Sequence, residues 1–160
     1  MPELTRRRHN DPQRQGWDVY YGDVRVGHIG ERAGVPKIVD QWGWTCGFYP
    51  GCDPGEQQHG IGATFEDARA GFDAAWKRML PKKTEAHFEM WRYQRDADAW
   101  KRRMWDEKCR MPSQREDGQS NCFCGEPITN RSVPEHIRKA HRGIGNDSHS
   151  VRRRPTFGRE

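Results

Sequence analysis

Apolar residues show no regular spacing over residues 1–16, MPELTRRRHNDPQRQG, and the stretch reads as a disordered basic arm. Alternation begins at Trp17. In WDVYYGDVRVGHIG two short alternating runs flank Gly22-Asp23, a pairing that predicts a hairpin. In WGWTCGFYPG every second residue is large or apolar, so a strand puts Trp42, Trp44, Cys46 and Phe48 on one face. Gly43, Thr45, Gly47 and Tyr49 fall on the other face, which is flat enough for something to pack closely against it. The Gly- and Pro-rich stretch PGCDPGEQQHGIGA then reads as a loop.

Helical spacing follows. Phe65, Ala68, Phe72, Ala75, Trp76 and Met79 recur at three- and four-residue steps. Thr64 is placed to cap this helix, with Asp67 close to a capping-box position, and Pro81 stops it. A second helix is expected from Thr84 to about Cys109, with a heptad seam of Ala86, Met90, Tyr93, Ala97, Trp100 and Met104 flanked by Phe88, Trp91 and Trp105. It would be about 39 Å long, more than a small sheet can cover. The uncovered part offers a seam for a homodimer through residues 84–109, although docking within one chain is the commoner fate of such a stripe. Residues 110–121, RMPSQREDGQSN, read as a polar linker, and residues 143–160 as a second disordered basic tail.

Composition narrows the picture. Hydrophobic and charged residues each make up 32% of the chain, so one large core is not expected and the small cores should be aromatic, built from seven Trp among others. No apolar run reaches the length of a membrane span, and the basic start has no apolar stretch behind it. An odd number of cysteines, five, then favours a reduced, cytoplasmic chain. The net charge of +5 gathers at the ends. Residues 1–16 carry four Arg against Glu3 and Asp11, and residues 110–160 carry ten Lys and Arg against six acids. Basic ends around a near-neutral middle suit a polyanion partner, and they also suit plain solvated tails.

Candidate chemistry is concentrated in CFCGEPITNRSVPEHIRKAH. Cys122 and Cys124 sit at a turn with Gly125, and His136 and His141 lie at the end of a helix expected from Val133. Ser132 and Glu135 have capping-box spacing. Thiolate sulfur and imidazole nitrogen are the ligands of structural zinc, and four of them leave no open position for a catalytic water. Five residues of ideal helix turn through about 500°, so the two histidines reach one metal only if the last turn loosens. Elsewhere, Cys46, Cys52 and His59 are the members of a possible second metal site, and His28 near Glu31 and Asp40 is a set any surface could show. No phosphate-gripping Gly loop, Ser nucleophile motif or framed carboxylate pair is present, so no enzyme is expected.

Ile128, four residues past the second cysteine, and Val133, three before the first histidine, complete a pattern that resembles the ββα zinc finger of the Cys-Cys-His-His class. The resemblance implies one bound zinc, ligated by Cys122, Cys124, His136 and His141. It departs from that class in a cysteine pair separated by one residue and in a cysteine-to-histidine span of eleven. As a DNA-binding finger it would read bases with Thr129, Ser132 and Glu135, with Arg131 between them. The amino-terminal WDVYYGDVRVGHIGER, WGWTCGFYPG and ATFEDARAGFDAAW are similar to small uncharacterised bacterial proteins rich in Trp and Gly. Its strand order is also similar to that of the arm-binding domain of phage integrases, which implies Tyr20, Arg25, Thr45 and Tyr49 on an outward face.

The expected architecture is α+β: a small three-stranded antiparallel sheet with one packed helix over 17–80, a long amphipathic helix over 84–109, a linker over 110–121, a zinc finger over 122–142 and disordered basic ends. Two functions remain open. One is a nucleic-acid-binding accessory or regulatory protein, with DNA ahead of RNA. Its phosphate contacts would be Arg131, Arg138, Lys139, Arg142, Arg152, Arg153 and Arg154, with Arg6, Arg7 and Arg8 at the other end. The alternative is a protein-interaction adaptor in which zinc is purely structural and the long helix or flat sheet face docks a partner.

Overall fold

The computed structural model describes residues 3–146. It is an α+β structure that divides after Trp91 into two compact units. No helix among the described residues is long and apolar enough to cross a membrane.

The first unit is built on a five-stranded antiparallel sheet in simple sequence order: β1 (Leu4–Arg8), β2 (Gly16–Tyr21), β3 (Val24–Glu31), β4 (Trp42–Cys46) and β5 (Gln58–Gly62). The expected hairpin is β2–β3, with Gly22 at a φ of 61° in the turn. Two strands go beyond the three expected. The arm read as disordered contains β1, which pairs with β2 from Leu4 opposite Tyr21 to Arg8 opposite Trp17. Main-chain hydrogen bonds hold that strand, and its arginines find aromatic faces: Arg6 lies 5.0 Å from the Phe65 ring centre and Arg7 4.3 Å from that of Tyr20. The stretch read as a loop contains β5, paired with β4 from Trp42 opposite Gly62 to Cys46 opposite Gln58.

Helix α1 (Phe65–Met79) covers one face of the sheet. Thr64 caps it as expected, its hydroxyl accepting from the Asp67 N–H at 3.2 Å. Ala68, Phe72, Ala75, Trp76 and Met79 are buried against Val19, Val24, Val26, Ile29, Cys46 and Phe48. The helix-facing set on β4 is the one its alternation implied. On its other face, the Arg32 side chain lies over Gly43 and Gln57 over Gly47, so the chain's own residues cover those glycines. Tyr20 lies opposite Arg25, outside the helix-side core as expected, but it is buried there rather than open, because Arg7 lies over its ring.

A single 3-10 turn, Leu80–Lys82, ends this segment at Pro81, and α2 (Glu85–Asp106) follows. Its buried stripe differs from the heptad seam. Phe88 and Trp91 bury in the first core, leaving Ala86 and Met90 exposed. Ala97, Trp100 and Met104 bury in the second core, together with Cys122, Ile128 and Ile137. Ala97, Trp100 and Met104 of the expected seam are therefore taken up inside the chain, whereas Ala86 and Met90 are not.

The second unit continues from α2. The linker is partly ordered: a 3-10 turn at Pro112–Gln114 precedes β6 (Gln119–Asn121), which pairs with β7 (Pro127–Thr129). Helix α3 (Val133–Ala140) completes a ββα unit. Past His141 the chain is not loose over 143–146. Asp96, buried in α2, accepts from Gly143 N–H at 2.9 Å and Gly145 N–H at 3.1 Å, and Arg95 Nε donates to the same carboxylate at 3.1 Å. The remaining tail, 147–160, lies outside the described residues.

Candidate metal centre

The β6–β7 hairpin and α3 bring the four expected ligands to one point. Cys122 N–H donates to the Glu126 carbonyl at 2.8 Å, and Gly125 N–H to the Cys122 carbonyl at 2.9 Å. Gly125 turns this loop at a φ of 92°, where a side chain would be strained. The one-residue gap between the cysteines is thereby closed into a tight knuckle. From the other side, α3 ends at Ala140 and His141 leaves the helix with φ −128° and ψ 23°. That departure is the loosened last turn the histidine spacing demanded.

Donor separations fit a tetrahedral ion. His136 Nε2 and His141 Nε2 are 3.2 Å apart, Cys122 Sγ is 3.4 Å from His141 Nε2, and Cys124 Sγ is 3.6 Å from His136 Nε2. Bonds of about 2.0 Å to nitrogen and about 2.3 Å to sulfur give tetrahedral edges of about 3.3 Å between nitrogens and about 3.5 Å between nitrogen and sulfur. All four ligand atoms lie within 4.8 Å of one another, and a candidate metal-binding Cys2His2 group consistent with zinc is the result.

Surrounding groups orient the donors. His136 Nδ1 lies 3.1 Å from Glu126 Oε2, so the carboxylate holds the proton on Nδ1 and leaves Nε2 as the ligand atom. Trp100 Nε1 donates to Cys122 Sγ at 3.3 Å. The His141 ring packs 4.8 Å from that of Phe123. Burial pushes the Cys122 thiol pKa up, while the N–H of Cys124 and the Trp100 indole favour its thiolate. Burial, with the neighbouring His136, holds the His141 pKa below its usual value, which favours the neutral, ligating form.

One local expectation fails. Ser132 does not cap α3 with its side chain; its hydroxyl accepts from Thr129 N–H at 2.9 Å instead. Glu135 turns forward to Lys139 at 2.6 Å and not back toward Ser132, so no capping box forms. The proposed second metal set also does not assemble. Cys46 and Cys52 are buried in the helix-side core, whereas His59 sits opposite Thr45, one residue out of step with Cys46 and so on the other face.

Among the expected nucleic-acid contacts, Arg131, Arg138, Lys139 and Arg142 are exposed around α3. Arg138 also lies 4.2 Å from the Tyr93 ring centre, and Lys139 is paired with Glu135. Arg152, Arg153 and Arg154 lie outside the described residues. Reading the sequence missed Glu126 and Trp100 as supports of the ligands. Trp100 carried a visible signal, an apolar stripe, but periodicity says nothing about where an indole N–H points.

A hairpin and helix closing two cysteines and two histidines on one point define a ββα unit with a candidate Cys2His2 metal site. Compared with known protein families, curated proteins and solved structures, the chain matches none. The resemblance of the amino-terminal unit to Trp- and Gly-rich bacterial proteins and to integrase arm-binding domains thus gains no support, and its five-stranded sheet departs from the three strands the latter implied.

Proposed function

We propose that this chain is a non-enzymatic accessory or regulatory protein, stapled by one zinc ion, that binds nucleic acid, DNA ahead of RNA. The observation that carries the reading is the charge on the zinc-ligated unit. Arg131, Arg138, Lys139 and Arg142 are exposed along and beside α3, with Glu135 as the one acid on that helix. Four protein ligands suit a structural ion rather than a catalytic one. Arg152, Arg153 and Arg154 would add charge that follows the phosphate backbone without reading sequence.

The test is a titration of the zinc-loaded full chain with a labelled duplex at about 50 and about 200 mM salt. About four or five of the ten candidate contacts named above should engage, because Arg6, Arg7, Arg138 and Lys139 already have partners within the chain. A slope of about −4 in log–log terms follows, or roughly a two-hundredfold loss of affinity between the two salts. Replacing Arg152, Arg153 and Arg154 by Gln should weaken binding to unrelated duplexes about equally. Absence of binding to duplex and to single strands at the lower salt overturns the reading.

A second reading has its own support. The apolar side of the finger, Ile128 and Ile137, is buried with Trp100 and Met104, and Thr129 and Ser132 at base-reading positions bond to each other. These features suit an adaptor in which zinc only holds the unit together. That reading takes over if metal is bound and nucleic acid is not.

A further inference from the structure

The sheet face turned away from α1 carries a second meeting of metal-binding side chains. His9 follows β1, Asp18 lies on β2 opposite His28 on β3, and the strand register brings all three to the same end of the face. His9 Nδ1 is 3.4 Å from Asp18 Oδ2, and His28 Nδ1 is 3.2 Å from Asp18 Oδ1. One donor atom from each residue lies within 4.8 Å of the other two. His28, weighed from sequence only beside Glu31 and Asp40, meets Asp18, while Glu31 accepts from Gln15 N–H.

Hydrogen bonding alone explains part of this arrangement. Arg25 donates to Asp18 Oδ1 through Nε at 3.0 Å and Nη2 at 2.7 Å, and the two imidazoles can donate as well. Two further features go beyond it. The histidines approach the carboxylate one to each oxygen, and Arg25 occupies only Oδ1, so Oδ2 remains beside His9. The His28 ring also has a prepared seat on Gly16 and Gly30, which face each other across β2 and β3. A Cβ on Gly30 would come within 2.6 Å of His28 Nε2, and one on Gly16 within 2.9 Å of Cε1. Neither glycine has a positive φ, so the space for the ring, not backbone conformation, is what the absent Cβ provides. The seat fixes which way the ring nitrogens point before any ligand arrives.

We propose that His9, Asp18 and His28 form a second cation site, separate from the Cys2His2 group, that takes a first-row divalent transition ion. Two imidazoles and one carboxylate select such ions over calcium or magnesium, and three protein ligands leave positions for water. Burial would raise the Asp18 pKa, but the hydrogen bond from His28 and the charge and hydrogen bonds of Arg25 outweigh it and hold the carboxyl well below its ordinary range. The carboxyl is therefore ionised at neutral pH. On binding, each imidazole would present an unprotonated nitrogen to the ion and keep its single proton on the other ring nitrogen, any second proton leaving to solvent. Arg25 opposes the incoming charge, so the site should be of modest affinity.

The experiment is calorimetric titration of the zinc-loaded full chain with Ni2+. One equivalent with a dissociation constant in the micromolar range is expected. His9→Ala, at an exposed position, and His28→Ala should each weaken it at least tenfold. Gly30→Ala, which removes no ligand, should weaken it as well by displacing the ring. Arg25→Gln should tighten it severalfold, the opposite of what a purely structural hydrogen-bond network predicts. Retention of the fold in each variant is read from the near-ultraviolet circular dichroism of the tryptophans. The proposal is overturned if no such equivalent appears, if it survives in His9→Ala or in His28→Ala, or if Arg25→Gln loses it.

Discussion

Trp100 carries two roles in one side chain. Its ring is fully buried in the second core, and its N–H is spent on the Cys122 sulfur. Replacing it with Phe keeps most of the ring and deletes the donor. Zinc affinity, measured by competition with a chelator, should fall about ten- to a hundredfold while the unit stays folded. Cys46 shows the converse case of a group kept from ionising. Burial, with the neighbouring Cys52, pushes its thiol up to about 12. A thiol whose pKa is raised in the folded state binds its proton more tightly there than in the unfolded chain, whose thiol titrates near 8.5. Its contribution to stability is therefore present below about pH 8.5 and is lost as pH rises toward the folded value, by up to about 1.4 kcal/mol per pH unit. Melting curves from pH 7 to 10.5 should show this alkaline loss, and Cys46→Val should remove it.

Elements differ in how much of them local pattern reveals. Helix α1 was legible because each local cue, cap, spacing and stop, agreed with the core it packs on. Strand β4 was legible for the same reason. Strands β1 and β5 were not. LTRRR has one apolar residue and QHGIG has one, so neither shows alternation; both are the end strands of the sheet, held by main-chain bonds that leave no mark on composition. The gathering of the candidate Cys2His2 group was legible, since a zinc site limits its ligands to few residue types at few spacings. Its supports were not, because Glu126 and Trp100 are placed by tertiary packing. For α2 the apolar pattern was real, and much of it docks within the chain, the commoner of the two outcomes expected. Its stripe turns inward twice, through Phe88 and Trp91 and then through Ala97, Trp100 and Met104. Trp100→Glu should accordingly unfold residues 92–146 rather than release a monomer from a dimer. Loss of tryptophan near-ultraviolet signal, with the sedimentation of the parent chain as reference, reads that outcome.

At the scale of the whole molecule the two units owe their stability to different sources. The first has a continuous core of sheet and helix side chains, while the second has a smaller one completed around the ligand cluster. With few apolar side chains, the second unit is expected to depend on a metal ion at its Cys2His2 group. Chelation should abolish amide-exchange protection at Ile128 and Ile137 and preserve it at Val26, Ile29 and Phe72. Equal loss in both groups would mean that the ligand cluster supports the first unit as well. The first unit has a different exposure to manage. Its sheet is open at both ends, and an end strand is a template on which another chain can extend. Strand β1 presents Arg6, Arg7 and Arg8 at one of those ends, with the first two held over Phe65 and Tyr20. A neighbouring strand that tried to add there would have to desolvate a row of cations and match their spacing. The arginines that first looked like a reach toward phosphate thus also guard the sheet against fibrous self-association.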